Sequence, residues 1–378
     1  MRGAAALLVA ALVAAAPARG GFDSDLDTQP LRGLDRALAA SVAKAIPMPA
    51  ASAGITFRFD PRTSAFERET DLSGQLFVER ARPLGRGRLN LTLLYEYVDV
   101  DTVDGKDLGS LSDNRPIRTV QNPDKPFVVP HLDLSLVTHA MIASVTYGVT
   151  EDLDLNLTVP VLYSELDVSG RLRQLGVTLA PNQIGNTANS AFGVGDILVR
   201  GKHRLAHGWL GELAVGMVFR LPSGSQGDFQ GTGLFEMGPQ LYASTVAVTL
   251  APHIRVQAHV NAGLDLTPQD APRGEGRWAV AFDILLDTRA TLSLALLARE
   301  PFSRLLEPGA TTVRRTKHVR TPAFGIDPGH PSYYDLSIGG RVNLWRDTVF
   351  GIATVVVPVN EDGVRASLVP IIGLEAAF

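Results

Sequence analysis

The side chains best placed to do chemistry are Glu96, Asp154, Asn156, Arg200, Lys202, Glu212, Arg220, Arg255, Gln257, His259, Asp265, Asp283, Arg299, Asp335, Arg341, Arg365 and Glu375. Each sits one residue from an apolar neighbour in a stretch that alternates with period two. Such alternation sends all of them to one face of a sheet and the apolar set to the other. Both signs of charge are mixed along that face. The pattern predicts a cross-lumen ion-pair network rather than a filter of one sign, with structural salt bridges bracing the wall as the plainer reading. A permeation constriction built from Arg220, Arg255, His259 and Asp283 is the sharper alternative.

Other chemistries find no support. The chain has no Cys, which removes disulfides, thiolate metal sites and cysteine nucleophiles. Its net charge of −4, from 35 basic and 39 acidic residues, gives no reason to expect a nucleic acid. Gly193-Val194-Gly195 is followed by a basic strand pattern instead of a helix, so it is not a dinucleotide fingerprint. Gly224-Ser225-Gln226-Gly227 lacks the spacing of a nucleophile elbow. Asp99, Asp101 and Asp104-Gly105 miss the register of a calcium loop, because position 103 is Val. His131 with His139, and His203 with His207, lack the Glu of a zinc-protease helix. No cofactor, metal or catalytic residue is expected. A lipid-acting barrel enzyme would need a nucleophile and a His on one strand face, and no such set is legible.

The elements that carry the polar face are long strands. Leu89, Leu91, Leu93, Tyr95 and Tyr97 open the pattern, and the last stretch runs from Val364 to Phe378. Twelve strands are predicted near 87–100, 130–149, 153–167, 193–206, 209–222, 232–248, 251–267, 275–287, 289–303, 332–344, 347–358 and 364–378. The first two are separated by 101–129 and are not directly adjacent. Thr150-Glu151-Asp152, His207-Gly208, Thr249-Leu250, Thr288 and Trp345-Arg346 are brief turns; 101–129, 168–192, 223–231, 268–274 and 304–331 are longer loops, with 359–363 a modest exception. Soluble strands average about 5–6 residues, so these are membrane lengths. The fold class is all-β: a transmembrane antiparallel up-and-down barrel of twelve strands, both termini periplasmic. Ile55–Asp60 and Leu72–Arg82 leave fourteen open. A one-residue slip of the strand from Ile254 would turn Arg255, His259 and Asp265 to hydrocarbon. Each basic residue there costs about 2–4 kcal/mol at the midplane, which fixes the register.

Three domains follow. Residues 1–18 form a signal peptide, with Arg2, an apolar run to Ala15 and Ala16-Pro17-Ala18 as a cleavage pattern. Residues 19–86 carry a short N-terminal helix, Pro30 to Ile46, and act as a periplasmic segment or as a plug in the bore. Residues 87–378 are the barrel. Tyr147, Tyr163, Trp209, Trp278, Phe302, Tyr334 and Trp345 are placed for interfacial girdles. Arg304, Arg314, Arg315, Lys317 and Arg320 against Glu307 and Asp327 give the last long loop an excess of positive charge suited to lipopolysaccharide phosphates. A terminal Phe378 at lipid-facing parity resembles the closing aromatic by which barrel-assembly machinery recognises its substrates.

Several short motifs recur in order: Glu79-Arg80, Leu84-Gly85-Arg86-Gly87, Tyr147-Gly148-Val149-Thr150, Gly193-Val194-Gly195-Asp196, Arg220-Leu221-Pro222-Ser223-Gly224 and Gly231-Thr232-Gly233. Across about 47–378 the chain resembles the transporter family associated with the meta-cleavage pathway of phenol degradation. That resemblance implies an outer-membrane barrel, distantly similar to fatty-acid and aromatic-hydrocarbon channels. It implies passive or gated uptake of small hydrophobic, including aromatic, solutes through a narrow polar-lined bore. A structural barrel with a filled lumen is the remaining class.

Overall fold

The computed structural model describes residues 42–44, 46–51, 57–60, 65–68, 76–118, 127–174, 182–286, 290–303, 312–316, 319–322, 330–345 and 348–378. Twelve strands close into a ring. They are β1 (Leu89–Val100), β2 (Phe127–Gly148), β3 (Leu153–Gln174), β4 (Ile197–Gly208), β5 (Gly211–Leu221) and β6 (Glu236–Thr245). The ring continues with β7 (Ile254–Asp265), β8 (Glu275–Leu286), β9 (Ala290–Pro301), β10 (Tyr333–Trp345), β11 (Val349–Pro358) and β12 (Val369–Ala377). Each pairs antiparallel with the next, and β12 closes on β1 from Ala377↔Asn90 to Ile371↔Glu96. Closure leaves no edge in the ring, as a bilayer demands of strands whose backbone groups must all be paired internally.

Side-chain parity explains why these residues take this arrangement. On β7 the outward Val260 is 47% exposed while the neighbouring His259 is fully buried. Leu91, Leu93, Leu155, Leu157, Leu292, Leu294, Ile372 and Leu374 are likewise large apolar side chains turned outward and exposed. A continuous exposed apolar band of this kind is at home in hydrocarbon rather than in water. Trp209, Trp345, Tyr147, Tyr163, Trp278 and Phe302 are all exposed on this outer surface.

Several local expectations change. Despite the 101–129 connection, β1 and β2 are direct neighbours, paired from Leu89↔Tyr147 to Val100↔Leu136. The turn expected at His207-Gly208 falls at Trp209-Leu210, because Gly208 still pairs with Gly211, whose φ of 149° opens the next strand. Thr249 and Leu250 belong to a strand, Val248–Ala251. Its chain reverses at Pro252-His253, where His253 takes a left-handed φ of 67°. The 168–192 loop is largely strand: β2 and β3 run on, and Asn182–Val194 pairs with Val161 to Leu172 of β3. Within 101–129, Leu111–Arg118 pairs with β2. The fourteen-strand alternative is closed: Phe57–Asp60 pairs only with Ala65–Arg68 as a separate hairpin, and 76–82 carries no strand.

The start and end of the ring meet at the short-turn edge. Leu89 and Phe378 exchange backbone hydrogen bonds of 2.9 and 2.8 Å. Gly148 is required beside them, since a Cβ there would lie 1.8 Å from the Gly85 carbonyl oxygen. At the opposite edge, Thr102–Val103 and Lys106–Asp107 join Val364–Arg365 in a small sheet. The signal peptide and the predicted helix from Pro30 lie outside the described residues, apart from a helical turn at 42–44. The side chains of Arg304, Arg314, Arg315, Lys317 and Arg320 also lie outside them.

Candidate functional site

The inward parity produces two unlike walls. Leu94 and Val98 of β1, Leu134, Leu136 and Ile142 of β2, Leu162 and Leu166 of β3, Ile352 and Val356 of β11 and Ile371 of β12 are buried in one apolar cluster. The opposite wall, β4 to β10, carries Arg, Lys, Asp and Glu. A polar-lined bore therefore describes only half of the interior. Loop residues Val103, Leu108, Phe229 and Val364 join the apolar cluster, as do Val42, Ile46 and Leu76 from the N-terminal segment.

That segment passes through the barrel. Residues 76–84 form a strap whose backbone is taken up by wall side chains. The Ala81 N–H donates to Ser244 Oγ at 3.0 Å, and the Leu84 N–H to Asp154 Oδ2 at 2.8 Å. The Asn261 amide oxygen accepts from the Glu79 N–H at 2.6 Å, and its nitrogen donates to the Glu79 carbonyl at 2.8 Å. Lys202 Nζ reaches Glu79 Oε1 at 2.7 Å, the Arg80 carbonyl at 2.9 Å and the Arg82 carbonyl at 3.1 Å. Val78 packs on Ala279, Ala281 and Ala295, and Ala81 on Ala214 and Tyr242. Small alanines on the wall make room for the strap. Fully burying Leu76 and Val78 contributes about 1.5–3 kcal/mol each.

A second pass, 46–51, lies against the first. Ala50 N–H donates to the Leu76 carbonyl at 2.7 Å, and Ala51 N–H to Glu79 Oε2 at 2.5 Å. Thr146 Oγ1 donates to the Ala51 carbonyl. Just before this pass, Lys44 Nζ sits 2.9 Å from Glu236 and 3.6 Å from Glu275.

The predicted polar residues take distinct places. Glu212 holds Arg82 of the strap at 2.7 Å. Arg220 meets Glu236 at 3.0 Å and Asp196 at 3.9 Å; Asp265 meets Arg277 at 2.6 Å; Arg341 meets Glu375 at 2.5 Å. Arg299 lies 3.8 Å from Glu275 and stacks 4.4 Å from the Tyr333 ring centroid. Arg365, in the 359–368 connection, covers the same ring at 4.6 Å. Burial pulls its guanidinium below the usual arginine value, against the opposing pull of Asp335 at 2.6 Å. Gln257 Nε2 donates to the Thr245 carbonyl at 2.5 Å. Glu96 stands apart, fully buried within the apolar wall, and neither carboxylate oxygen has a hydrogen-bond partner among the described residues.

The four residues of the supposed constriction are not gathered at one level. Arg220 lies at the long-loop end of β5, whereas His259 and Asp283 meet at 3.3 Å mid-wall. Arg255 is four residues nearer the short-turn edge, ~13 Å along the strand at 3.3 Å per residue.

One arrangement escaped the sequence reading. Ser244 Oγ is 2.8 Å from His259 Nδ1, His259 Nε2 is 3.3 Å from Asp283, and Ser293 Oγ donates to Asp283 at 2.6 Å. A Ser and a His do therefore share a face, contrary to expectation. Only the register, Ser244↔His259, brings them together. The serine oxygen accepts from the strap, and all four side chains of the row are buried. In this state the row braces the strap.

The recurring short motifs assemble a second closure. Asp196 Oδ2 accepts from Thr232 N and Oγ1 at 2.8 and 2.9 Å, and Oδ1 from Gly224 N at 3.1 Å. Ser223 Oγ donates to the Gly195 carbonyl at 2.7 Å. These bonds fold the 223–233 loop inward and deliver Phe229, 1% exposed, to the apolar cluster. Between the 46–51 pass and the charged wall remains a cavity of about 210 Å³. Its apolar lining includes Met48, Phe77, Leu198, Val218 and Tyr242.

No protein-family model matches the chain. No curated protein matches it. Among solved structures it is similar to the COG4313 outer membrane channel from Pseudomonas putida F1, at 12% identity and a TM-score of 0.47, covering 79% of this chain and 98% of that one. It is similar to the NanC porin at 8% identity and a TM-score of 0.41, over 75% of this chain and 98% of that one. The toluene transporter TbuX from Ralstonia pickettii matches at 10% identity and a TM-score of 0.37, over 78% and 90%.

Proposed function

We propose that the protein is a channel of the bacterial outer membrane that takes up small hydrophobic, including aromatic, solutes, and that the strap and its neighbouring pass act as its plug. The observation that carries the reading is the divided interior of a closed ring. An apolar half-wall offers apolar solutes a path, and the segment occupying it is tied to the charged half by hydrogen bonds and ion pairs that can exchange. Residues 1–18 direct export, and Phe378, exposed at the end of the last strand, is the handle for barrel assembly. Lipid and lipopolysaccharide surround the wall.

The test is solute flux into liposomes. The full chain should pass toluene or phenol slowly, and deletion of Gly21 to Arg82 should raise flux and single-channel conductance by about tenfold or more, since the plug fills the bore. Absence of flux and conductance after that deletion would remove the transport reading and leave a structural barrel.

A further inference from the structure

Resting on that channel reading, we propose that the lumen cavity beside the plug is a binding site for small apolar solutes carrying one carboxylate, with Arg200 as the group that receives the charge. Five cationic side chains, Lys44, Arg200, Arg220, Arg277 and Arg299, and four carboxylates, Glu79, Glu236, Asp265 and Asp335, line this cavity. Four of the cations have a carboxylate within 4 Å: Lys44 has Glu236, Arg220 has Glu236, Arg277 has Asp265, and Arg299 has Glu275. Arg200 has none among the described residues. Its contacts are neutral, and all are made by one nitrogen. Nη1 donates to the Pro49 carbonyl at 2.7 Å and lies 3.4 and 3.5 Å from Asn156 Oδ1 and Thr158 Oγ1.

This geometry leaves a fork. A guanidinium presents five N–H donors, and Nε with Nη2 forms the parallel pair that grips a carboxylate with two bonds. On Arg200 neither of those nitrogens has a hydrogen-bond acceptor among the described residues, while Nη1 fixes the plane of the group. Glu79, the strap carboxylate, is already engaged by Lys202 at 2.7 Å and by the Ala51 N–H. A second donor faces the same cavity. Tyr242 has a buried ring, and its hydroxyl has no hydrogen-bond partner among the described residues. Met48, Phe77, Leu198 and Val218 supply the apolar surface for the remainder of the solute. An unpaired cation in a partly desolvated site is costly, and a solute carboxylate would offset that cost where a neutral solute cannot. The inference narrows the solute class from hydrophobic molecules in general to monoanionic ones, aromatic acids among them.

The experiment is calorimetric titration of the full chain in detergent at neutral pH with benzoate and with benzyl alcohol, a neutral molecule of similar size. Benzoate should bind about tenfold or more tightly than benzyl alcohol, the advantage of a charge-assisted two-bond contact. In Arg200→Gln the two should bind within about twofold of each other. Tyr242→Phe, which keeps the ring, should weaken benzoate more than benzyl alcohol, since a donor bonds a carboxylate more strongly than a neutral hydroxyl. Equal affinities in the unmodified chain would overturn the assignment, as would a benzoate preference that survives Arg200→Gln. Should Arg200→Gln fail to fold, the unmodified preference together with Tyr242→Phe decides. Binding is read here without transport. Its failure leaves the channel reading standing, and a failed flux experiment leaves the site standing.

Discussion

At the scale of single residues, most of the interior charges are answered by a specific partner, with Glu96 and Arg200 the exceptions among the described residues. Lys202 is 3% exposed and serves Glu79 and two strap carbonyls at once. Replacing it with Met removes the partner of a buried carboxylate and should destabilise the barrel by about 3–5 kcal/mol. Urea unfolding in detergent measures this, and Lys202→Met combined with Glu79→Gln should recover much of the loss. A double variant no more stable than the single one would contradict the pairing. The inward positions of Glu96, His259, Asp283 and Glu375 were legible, because parity alone decides which solvent a strand residue meets. The strap residues that meet the polar wall were not. Glu79, Arg80 and Arg82 lie in a stretch without periodicity, where Phe57, Phe59, Phe66 and Phe77 stand among charges, and no pattern there reveals that the wall is their destination.

Among the elements, strand positions were readable because the two faces of each stave meet different surroundings, which imposes a two-residue period. Turn positions were less so. His253 adopts left-handed backbone where the chain reverses, and the bulge at Arg204/Ala206 switches the strand's parity, setting His207 rather than Ala206 opposite the inward Glu212. The loop 223–233 was invisible as a closure, since its fold depends on one carboxylate, Asp196, supplied from the break before β4. Asp196→Asn keeps the shape but presents an amide to N–H donors. Leaving them unsatisfied should cost about 1–3 kcal/mol. The expected result is faster hydrogen exchange confined to the amides of 223–233. Unchanged protection there would show that Asp196 does not hold the loop.

For the whole molecule, a barrel of twelve strands lies between eight, where side chains fill the interior, and the sixteen or more of open porins. This chain uses the intermediate bore to hold its own backbone. Two passes of the N-terminal segment and one loop occupy the lumen. In the proposed channel the strap is the barrier, and opening requires it to leave Ser244, Asp154, Glu212 and Lys202. The sequence signalled a segment ahead of the barrel but could not distinguish a plug from a periplasmic extension, because its contacts are with residues far along the chain, as for Lys44 and Glu236 or Glu275.

A removable crosslink tests this account most directly. The chain contains no Cys, so the pair Ala81→Cys and Ser244→Cys would be unique, and the Ala81 backbone N–H already lies 3.0 Å from Ser244 Oγ. The measurement is solute flux through the purified double variant in liposomes, before and after reduction of the bond. Flux should be absent while the strap is tied to the wall and should return when the bond is reduced. Equal flux in the two states would show that the strap is not the barrier.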